Sequence, residues 1–311
     1  MSSFIHHLRI AVVGFLMGCA DVVPGVSGGT IAFICGIYER LLNGIKKIDL
    51  TTLGMLMRGD IKDAWARIPG GFFVALGTGL LLAVLTFAKV LEHLMVHHPV
   101  LLWAFFLGLV VGSIVLLARQ TWVWKPVDWF VFLGFSFGTF ILVGLEATNT
   151  PAGLPFVFLA GEIAICAMIL PGISGSYLLL IMGKYQEVLT AVNQRDFVTL
   201  GVFCLGIATG ILSFVRIVSW LLNRFRHTTL IALTGVMAGA LRTLWPWKET
   251  LTTRISSSGE EVPLVQINIM PGQDGQIWLA LGLAILGGVA VTLVERWARA
   301  EETSAKSLDL I

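Results

Sequence analysis

The sequence predicts an all-α polytopic membrane protein made of two inverted-topology repeats, each a re-entrant, broken helical hairpin followed by three transmembrane helices. Three observations predict it: an apolar composition, a series of long uncharged runs, and an internal repeat. Of the 311 residues, 56% are hydrophobic and 13% are charged, and the mean hydropathy is +0.87. Soluble domains carry about a quarter charged residues, so the composition alone indicates a membrane protein.

Six apolar runs are candidates for membrane-spanning helices. Five of them reach or approach the roughly 20 residues that cross a bilayer as a helix. The remaining one is shorter, because it ends at Arg242. In chain order the runs are 70–88, 100–118, 129–145, 197–215, 228–241 and 277–294.

The chain repeats itself with an offset of 147 residues. The segment "GFLMGCADVVPGVSGGTIAFICGIY" at 14–38 is echoed by "GEIAICAMILPGISGSYLLLIMGKY" at 161–185, and "GLVVG" at 108–112 resembles "GVMAG" at 235–239. We therefore expect two repeats, 1–150 and 151–311, in a single transmembrane domain. Each repeat has an interrupted helix pair, which makes an even number of crossings, and three spans. The total is odd, so the second repeat is predicted to be inserted upside down.

The interrupted pair in each repeat is predicted to dip into the membrane and return. Uncharged residues 10–20 would make only about 17 Å of helix, against a hydrocarbon core of about 30 Å. Non-helical backbone at that depth must be covered by protein or water. The two breaks, around 24–30 and 171–177, are therefore expected to lie close together inside the fold.

The distribution of lysine and arginine predicts the orientation. With the N-terminus in the cytoplasm, the inner side collects fourteen of the 21 Lys and Arg residues, and the outer side has Arg195, Lys248 and Arg254. Because cytoplasmic loops are enriched in these residues, both termini are predicted to be cytoplasmic. The polar segment 246–275 then forms an outer loop.

The two breaks have the composition of anion-binding helix starts. Pro24 and Gly25 interrupt the first helix, and Pro171 and Gly172 interrupt the second. The backbone amides that begin the next helix are free donors beside a partial positive charge, which suits a phosphate or a carboxylate. Breaks that serve only close helix packing are the alternative. The predicted substrate-binding residues are those of the two helix starts and one cation inside a span: Ser27, Gly28, Gly29, Thr30, Ser174, Gly175, Ser176 and Arg216.

Other charged residues inside apolar segments are candidates for coupling. Asp21 and Glu162 lie three and nine residues before the respective prolines, and they are predicted to bind a coupling proton or sodium ion. Arg119 and Arg242 end their spans and are interpreted as anchors, whereas Lys89 lies near the outer end of its span. Whether these three cations contact substrate stays open from the sequence.

No cofactor or metal is expected. The histidines at the outer end of one span, His93, His97 and His98, lack a further ligand elsewhere. The four cysteines have neither metal-type spacing nor a disulfide pattern, and are read as packing residues. The net charge of +2 says nothing about nucleic acid.

Three segments closely resemble the DUF368 family of bacterial inner-membrane proteins: "MGCADVVPGVSGGTIAFICGIYE" at 17–39, "LPGISGSYLLLIMGKY" at 170–185 and "GALRTLWPW" at 239–247. That family is regarded as polyprenyl-phosphate (undecaprenyl-phosphate) translocases, and the resemblance covers essentially the whole chain. The second break departs from the first at Ser176 and Tyr177, where Gly29 and Thr30 stand. The resemblance implies a flippase of the inner membrane, not an enzyme. Its cargo is the undecaprenyl phosphate carrier, recycled for peptidoglycan and other envelope polymers.

Two other functions are compatible with the residues. An ion-coupled secondary transporter of a small anion or cation uses the same inverted repeats, but needs no lateral opening for an isoprenoid. An intramembrane enzyme acting on lipid phosphates ranks last, because the sequence has no H-E-x-x-H motif and no clustered His, Asp and Arg set. The expected partners are undecaprenyl phosphate and membrane lipid, without nucleic acid, and a homo-oligomer stays open.

Overall fold

A computed structural model of the chain describes residues 2–23, 26–121, 123–145, 150–255, 261–272 and 276–308. Within these ranges the protein is predominantly helical, which confirms the predicted all-α class, and one small sheet is added to it. The helices are α1 (Ser2–Val22), α2 (Gly28–Ile34), α3 (Tyr38–Lys46), α4 (Leu50–Met57), α5 (Ile61–Arg67), α6 (Gly70–His97), α7 (Pro99–Gln120), α8 (Pro126–Leu142), α9 (Leu154–Ile169), α10 (Gly175–Ile181), α11 (Tyr185–Gln194), α12 (Phe197–Arg224), α13 (Arg226–Ala240) and α14 (Gln276–Leu308). A 3-10 helix (Leu241–Leu244) follows α13, and the strands are β1 (Lys248–Ile255) and β2 (Glu261–Asn268).

All six predicted spans coincide with helices, although the span 129–145 runs past the end of α8 at Leu142. In the described residues, four helices are long and apolar enough to cross a membrane: Gly70–His97, Pro99–Arg119, Phe197–Arg224 and Gln276–Trp297. The other two spans fall in the shorter helices α8 and α13. Large apolar side chains cover the outside of these helices, as at Leu85, Phe130 and Phe197, which are 77%, 77% and 78% exposed. Such surfaces are typical of helices that face lipid, so the chain is a multi-pass membrane protein.

The first helix is longer than the sequence predicts. α1 has 21 residues, which is about 31 Å of helix. The charge of Arg9 does not end it, because that side chain is buried, with its guanidinium 5.6 Å from the ring centroid of Trp297. The length estimate from residues 10–20 was therefore wrong for α1, and the re-entrant form of the first hairpin stays a prediction.

The most extensive helix pairings fall into two equivalent sets. α1 packs on α6 as α9 packs on α12, and α7 packs on α14 as α13 packs on α8. The second set joins the two halves of the chain, because α14 of one half lies on α7 of the other. The halves therefore pack as one intertwined unit.

Glycines occupy equivalent positions in these pairings. At each, an added Cβ would collide with the facing helix: Gly108 with Ala284, Gly112 with Gly288, Gly235 with Phe132 and Gly239 with Ser136. Each glycine of the first half lies 127 residues before its counterpart in the second half, and the residues that the two face are 152 residues apart. Gly36 and Gly183, offset by 147, likewise share a positive φ of 71° and 68°. The same contacts recur when each helix of one repeat is replaced by its counterpart in the other, so the packing supports a two-fold relation between the repeats. Their opposite membrane orientation and the boundary at 150 stay predictions.

The polar segment 246–275 is not a plain loop, because it contains an antiparallel β-hairpin. Its register pairs Lys248 with Asn268 and Ile255 with Glu261. The Nζ of Lys248 donates a hydrogen bond of 2.6 Å to the carbonyl of Thr243 and lies 3.4 Å from the ring centroid of Trp103. The hairpin is thus tied to the end of α13 and to α7.

Candidate functional site

The two breaks contact each other directly, as their predicted closeness requires. The Thr30 hydroxyl accepts a hydrogen bond of 2.9 Å from the amide of Gly172. The Ser27 hydroxyl donates to the carbonyl of Leu170 at 3.3 Å, and the Tyr38 hydroxyl donates to that of Ile169 at 3.0 Å. These bonds all join the start of the second break to α2 or α3. The two breaks therefore form one buried polar layer.

The first break is capped by its own carboxylate. Ser27 has extended backbone angles, and its hydroxyl accepts from the amide of Gly29 at 3.1 Å. The amide of Gly28 donates to Oδ1 of Asp21 at 2.7 Å. A Cβ at position 28 would lie 2.5 Å from Oδ2 of Asp21, so only glycine leaves room for the carboxylate. The predicted helix-breaking residues Pro24 and Gly25 lie outside the described residues.

The second break also has an extended serine before its helix, but it lacks the cap. Pro171 is buried, and Gly172 adopts a φ of +95°, which favours glycine. Ser174 is extended like Ser27, but its hydroxyl pairs with that of Ser176 at 2.9 Å and accepts from no amide of α10. Met168 stands where the repeat offset places Asp21 in the first half. Among the described residues, the amides of 175–177 have no hydrogen-bond partner.

The two breaks therefore differ in charge and in accessibility. The first holds an internal anion, whereas the second presents backbone amides and two hydroxyls without one. Ser27 and its counterpart Ser174 are both buried, at 2% and 7% exposed. Ser176 and Tyr177, in contrast, are only partly buried where Gly29 and Thr30 are buried. Amides at the start of a helix are suited to an anion. The second break is the more accessible anion-binding arrangement of the two.

Two predicted site residues lie apart from this layer. Arg216 is exposed on α12, and its guanidinium donates to the carbonyl of Leu212, one turn earlier in the same helix, at 3.2 Å. Glu162 is partly buried on α9, and its backbone packs against Gly210 of α12. In the part of the chain that the structure describes, neither side chain hydrogen-bonds to a break. The hydrogen bonds of the two breaks involve most of the predicted site and Asp21, but not Gly175, Arg216 or Glu162; the bonded site residues are Ser27, Gly28, Gly29, Thr30, Ser174 and Ser176.

Sequence reasoning missed two tyrosines of this layer. Tyr38 closes the first repeat motif, where Tyr185 closes the second, and this repetition was a usable signal. Tyr177 stands where the second motif departs from the first, and its hydroxyl donates to the carbonyl of Val143 at 2.7 Å. That bond ties the second break to the end of α8.

A cavity of about 250 Å³ lies elsewhere, between the α6–α7 turn and the β-hairpin. Lys248 lines it, and burial lowers the pKa of this lysine from 10.5 to about 7. No residue of either break lines the cavity. Within the described ranges, no group of three or more His, Cys, Asp and Glu residues is placed to hold a metal ion.

Comparisons with known proteins agree on one family. A family model described as undecaprenyl phosphate translocase-like matches residues 17–262. A protein of Vibrio cholerae serotype O1 named polyprenyl-phosphate transporter is 42% identical over 304 residues, which cover 94% of this chain and 97% of the relative. A Staphylococcus aureus protein of the same name is 28% identical over 251 residues, covering 75% and 84%. No solved structure matches the chain.

Proposed function

Because the chain belongs to the undecaprenyl phosphate translocase-like family, we propose that it moves undecaprenyl phosphate across the bacterial cytoplasmic membrane. This returns the lipid carrier for the assembly of peptidoglycan and other envelope polymers. The two relatives named polyprenyl-phosphate transporters support this cargo and a transporter instead of an enzyme. The Lys and Arg distribution supports cytoplasmic termini.

The physical difficulty of this task lies in the head group. Moving a phosphate without its water into a low-dielectric core costs at least several kcal/mol, unless protein groups replace the water. The isoprenoid tail is apolar and can remain in lipid. A translocase therefore needs a polar passage for the head and an apolar outside surface for the tail.

The contrast between the two breaks carries the proposal. The second break offers the amides of Gly175 and Ser176 and the hydroxyls of Ser174 and Ser176 to a phosphate. The first break has equivalent groups at Ser27, Gly28, Gly29 and Thr30, but they are already hydrogen-bonded. The Gly28 amide donates to Asp21, the Gly29 amide to the Ser27 hydroxyl, and that hydroxyl to the carbonyl of Leu170. In the proposed cycle the phosphate binds the second break first, and the first break completes the site when Asp21 withdraws. Arg216, on the exposed face of α12, would meet the head group only at the lipid-facing surface.

The coupling role of Asp21 and Glu162 belongs to the same proposal. A carboxylate that leaves the Gly28 amide loses its stabilising donor, and binding a proton or a sodium ion neutralises it. Withdrawal of Asp21 is then linked to ion binding. Transport by the wild-type protein is expected to depend on pH or sodium, and an Asp21→Asn variant should lose part of that dependence.

The test is a reconstitution of purified protein into liposomes loaded with undecaprenyl phosphate, with the fraction in each leaflet measured over time. A Ser174→Ala/Ser176→Ala double variant removes two donors and should slow translocation by about tenfold or more. Ser213→Ala is the matched control, because it removes a hydroxyl of the same kind from the exposed face of α12.

Two results would contradict the proposal. If undecaprenyl phosphate stays in its original leaflet in liposomes that contain the wild-type protein, the protein does not translocate this lipid. Uptake of inorganic phosphate into the same liposomes, with no movement of the lipid, would instead favour a small-anion transporter.

A further inference from the structure

Arg242 belongs to the 3-10 helix that follows α13, and its side chain reaches the end of α8, to which the second break is also tied. Its Nη1 donates to the carbonyl of Phe140 at 3.3 Å, and the guanidinium carbon is 4.7 Å from the ring centroid of Phe140. The guanidinium also fills the space in which Gly144 would carry a side chain. Gly144 thus leaves room for the charge of Arg242 at this point.

The second break reaches the same turn of α8. The Tyr177 hydroxyl donates to the carbonyl of Val143, the residue before Gly144. At the start of the break, Gly172 packs on the last turn of α13, where a Cβ would lie 2.9 Å from the Cα of Met237 and 3.4 Å from the Cβ of Ala240. Arg242 follows two residues after Ala240. The break and the guanidinium are therefore anchored to the same two helix ends.

The β-hairpin holds the backbone of Arg242 in place. Asn268 donates to the carbonyl of Arg242 at 2.8 Å, and Lys248 donates to that of Thr243 at 2.6 Å. A guanidinium carries five N–H donors. No carboxylate of the described residues lies within ion-pair distance of it. The hairpin thus fixes the main chain of Arg242, while its guanidinium lies against the end of α8.

We infer that Arg242 binds the phosphate head group at the second break, together with the hydroxyls of Ser174, Ser176 and Tyr177. The inference rests on the proposed function, because it names the cation of the same site. A guanidinium fork matches two phosphate oxygens and forms charge-assisted hydrogen bonds. Arg242 follows the end of α13, on the side that the Lys and Arg distribution predicts to be outer. It is therefore the group that receives a head group arriving from the outer leaflet.

The test compares two ligands that differ only in the phosphate. Binding of undecaprenyl phosphate and of undecaprenol to purified protein in detergent is measured by native mass spectrometry. Arg242→Gln should weaken binding of the phosphate by about tenfold or more and leave binding of the alcohol unchanged. Arg242→Lys keeps the charge without the fork, and an intermediate loss is expected. Arg224→Gln is the matched control, because Arg224 is exposed at the end of α12 and its guanidinium also lies over a phenylalanine ring, that of Phe225.

Gly144→Ala tests the position without removing the charge. Its methyl group takes the place of the guanidinium, so the phosphate should again bind more weakly than in wild type, with the alcohol unaffected. If Arg242→Gln does not fold, Arg242→Lys and Gly144→Ala decide the question in its place.

Equal loss of both ligands would overturn the inference in favour of a packing role. Normal phosphate binding by the Arg242 variants and by Gly144→Ala would also overturn it. In the second case, loss of binding in Ser174→Ala/Ser176→Ala shows that the proposed function stands without Arg242. If the wild-type protein binds undecaprenyl phosphate and undecaprenol equally well, both the proposed function and this inference are contradicted.

Discussion

Removal of the Asp21 carboxylate is expected to destabilise the first break by a measurable amount. In Asp21→Ala the buried amide of Gly28 loses its partner at 2.7 Å. A hydrogen bond to a charged group contributes about 1.5–3 kcal/mol, and an anion at a helix start adds about 0.3–1 kcal/mol. We expect the free energy of unfolding to fall by about 2–3 kcal/mol in Asp21→Ala. Asp21→Asn keeps an acceptor and should lose about 1 kcal/mol.

A double-mutant cycle with Gly28 isolates this contact. In Gly28→Ala the new Cβ would lie 2.5 Å from Oδ2 of Asp21, so the carboxylate must move. Once Asp21 is alanine, the methyl has room, and the two changes should together destabilise less than their sum. The assay is unfolding by SDS titration in mixed micelles, followed by circular dichroism. Asp60→Ala is the matched control, because Asp60 precedes α5 without a side-chain capping bond. An Asp21→Ala variant as stable as wild type, or strictly additive effects, would refute the capping role.

Three further predictions concern stability in the same assay. Thr30→Val leaves a buried amide of the second break unpaired and should lower the free energy of unfolding by about 1–3 kcal/mol, whereas Thr30→Ser should restore most of it. The pKa of Lys248 is lowered to about 7 in the folded protein, so the unfolded chain binds more protons between about pH 7 and 10 and stability should rise with pH there. Lys248→Met should flatten that slope, and equal slopes would exclude Lys248 as the cause. Gly79→Ala inserts a methyl into the backbone of α1 and should destabilise by about 1–3 kcal/mol, while Gly77→Ala, with open space around it, should not.

The repeat predicted more of the fold than the apolar runs did. The faint likeness between 108–112 and 235–239 corresponds to two equivalent close helix contacts, because glycine is required wherever backbones approach. The hydropathy of the runs located the helices but not their ends. α1 extends past Arg9, since burial against Trp297 accommodates a charge that hydropathy counts as a boundary.

The β-hairpin was missed for a different reason. Its strands lie in a polar segment, and a short strand pair has no signal comparable with a membrane span. What holds it in place is visible only in tertiary contacts, such as those of Lys248 with Trp103 and Thr243 and that of Asn268 with Arg242.

The residues of the breaks were predictable, but their partners were not. Ser27 stands in a Pro-Gly-x-Ser-Gly pattern that occurs twice, Thr30 follows that pattern by two residues, and both lie where the breaks meet. The sequence suggested a coupling role for Asp21, yet the bond to Gly28 depends on how the chain turns between them. Arg242 was interpreted as an anchor, because its place at the end of a span says nothing about the second break beside it. Contacts between distant segments require the folded chain.

The substitution of Met168 for Asp21 between the repeats makes the two breaks unequal, and this bears on the transport cycle. Inverted repeats commonly alternate by exchanging conformations. To open the first break, the protein must remove a carboxylate from the Gly28 amide, a bond of about 1.5–3 kcal/mol. Met168 has no carboxylate, so it cannot form an equivalent bond with an amide of the second break. The loss of the bond between Gly28 and Asp21 is therefore not offset there. A phosphate that takes the place of the carboxylate restores the bond, and a ligand shifts a population only through such a difference in affinity. We therefore expect the empty protein to rest in the conformation described here and the bound lipid phosphate to drive the exchange.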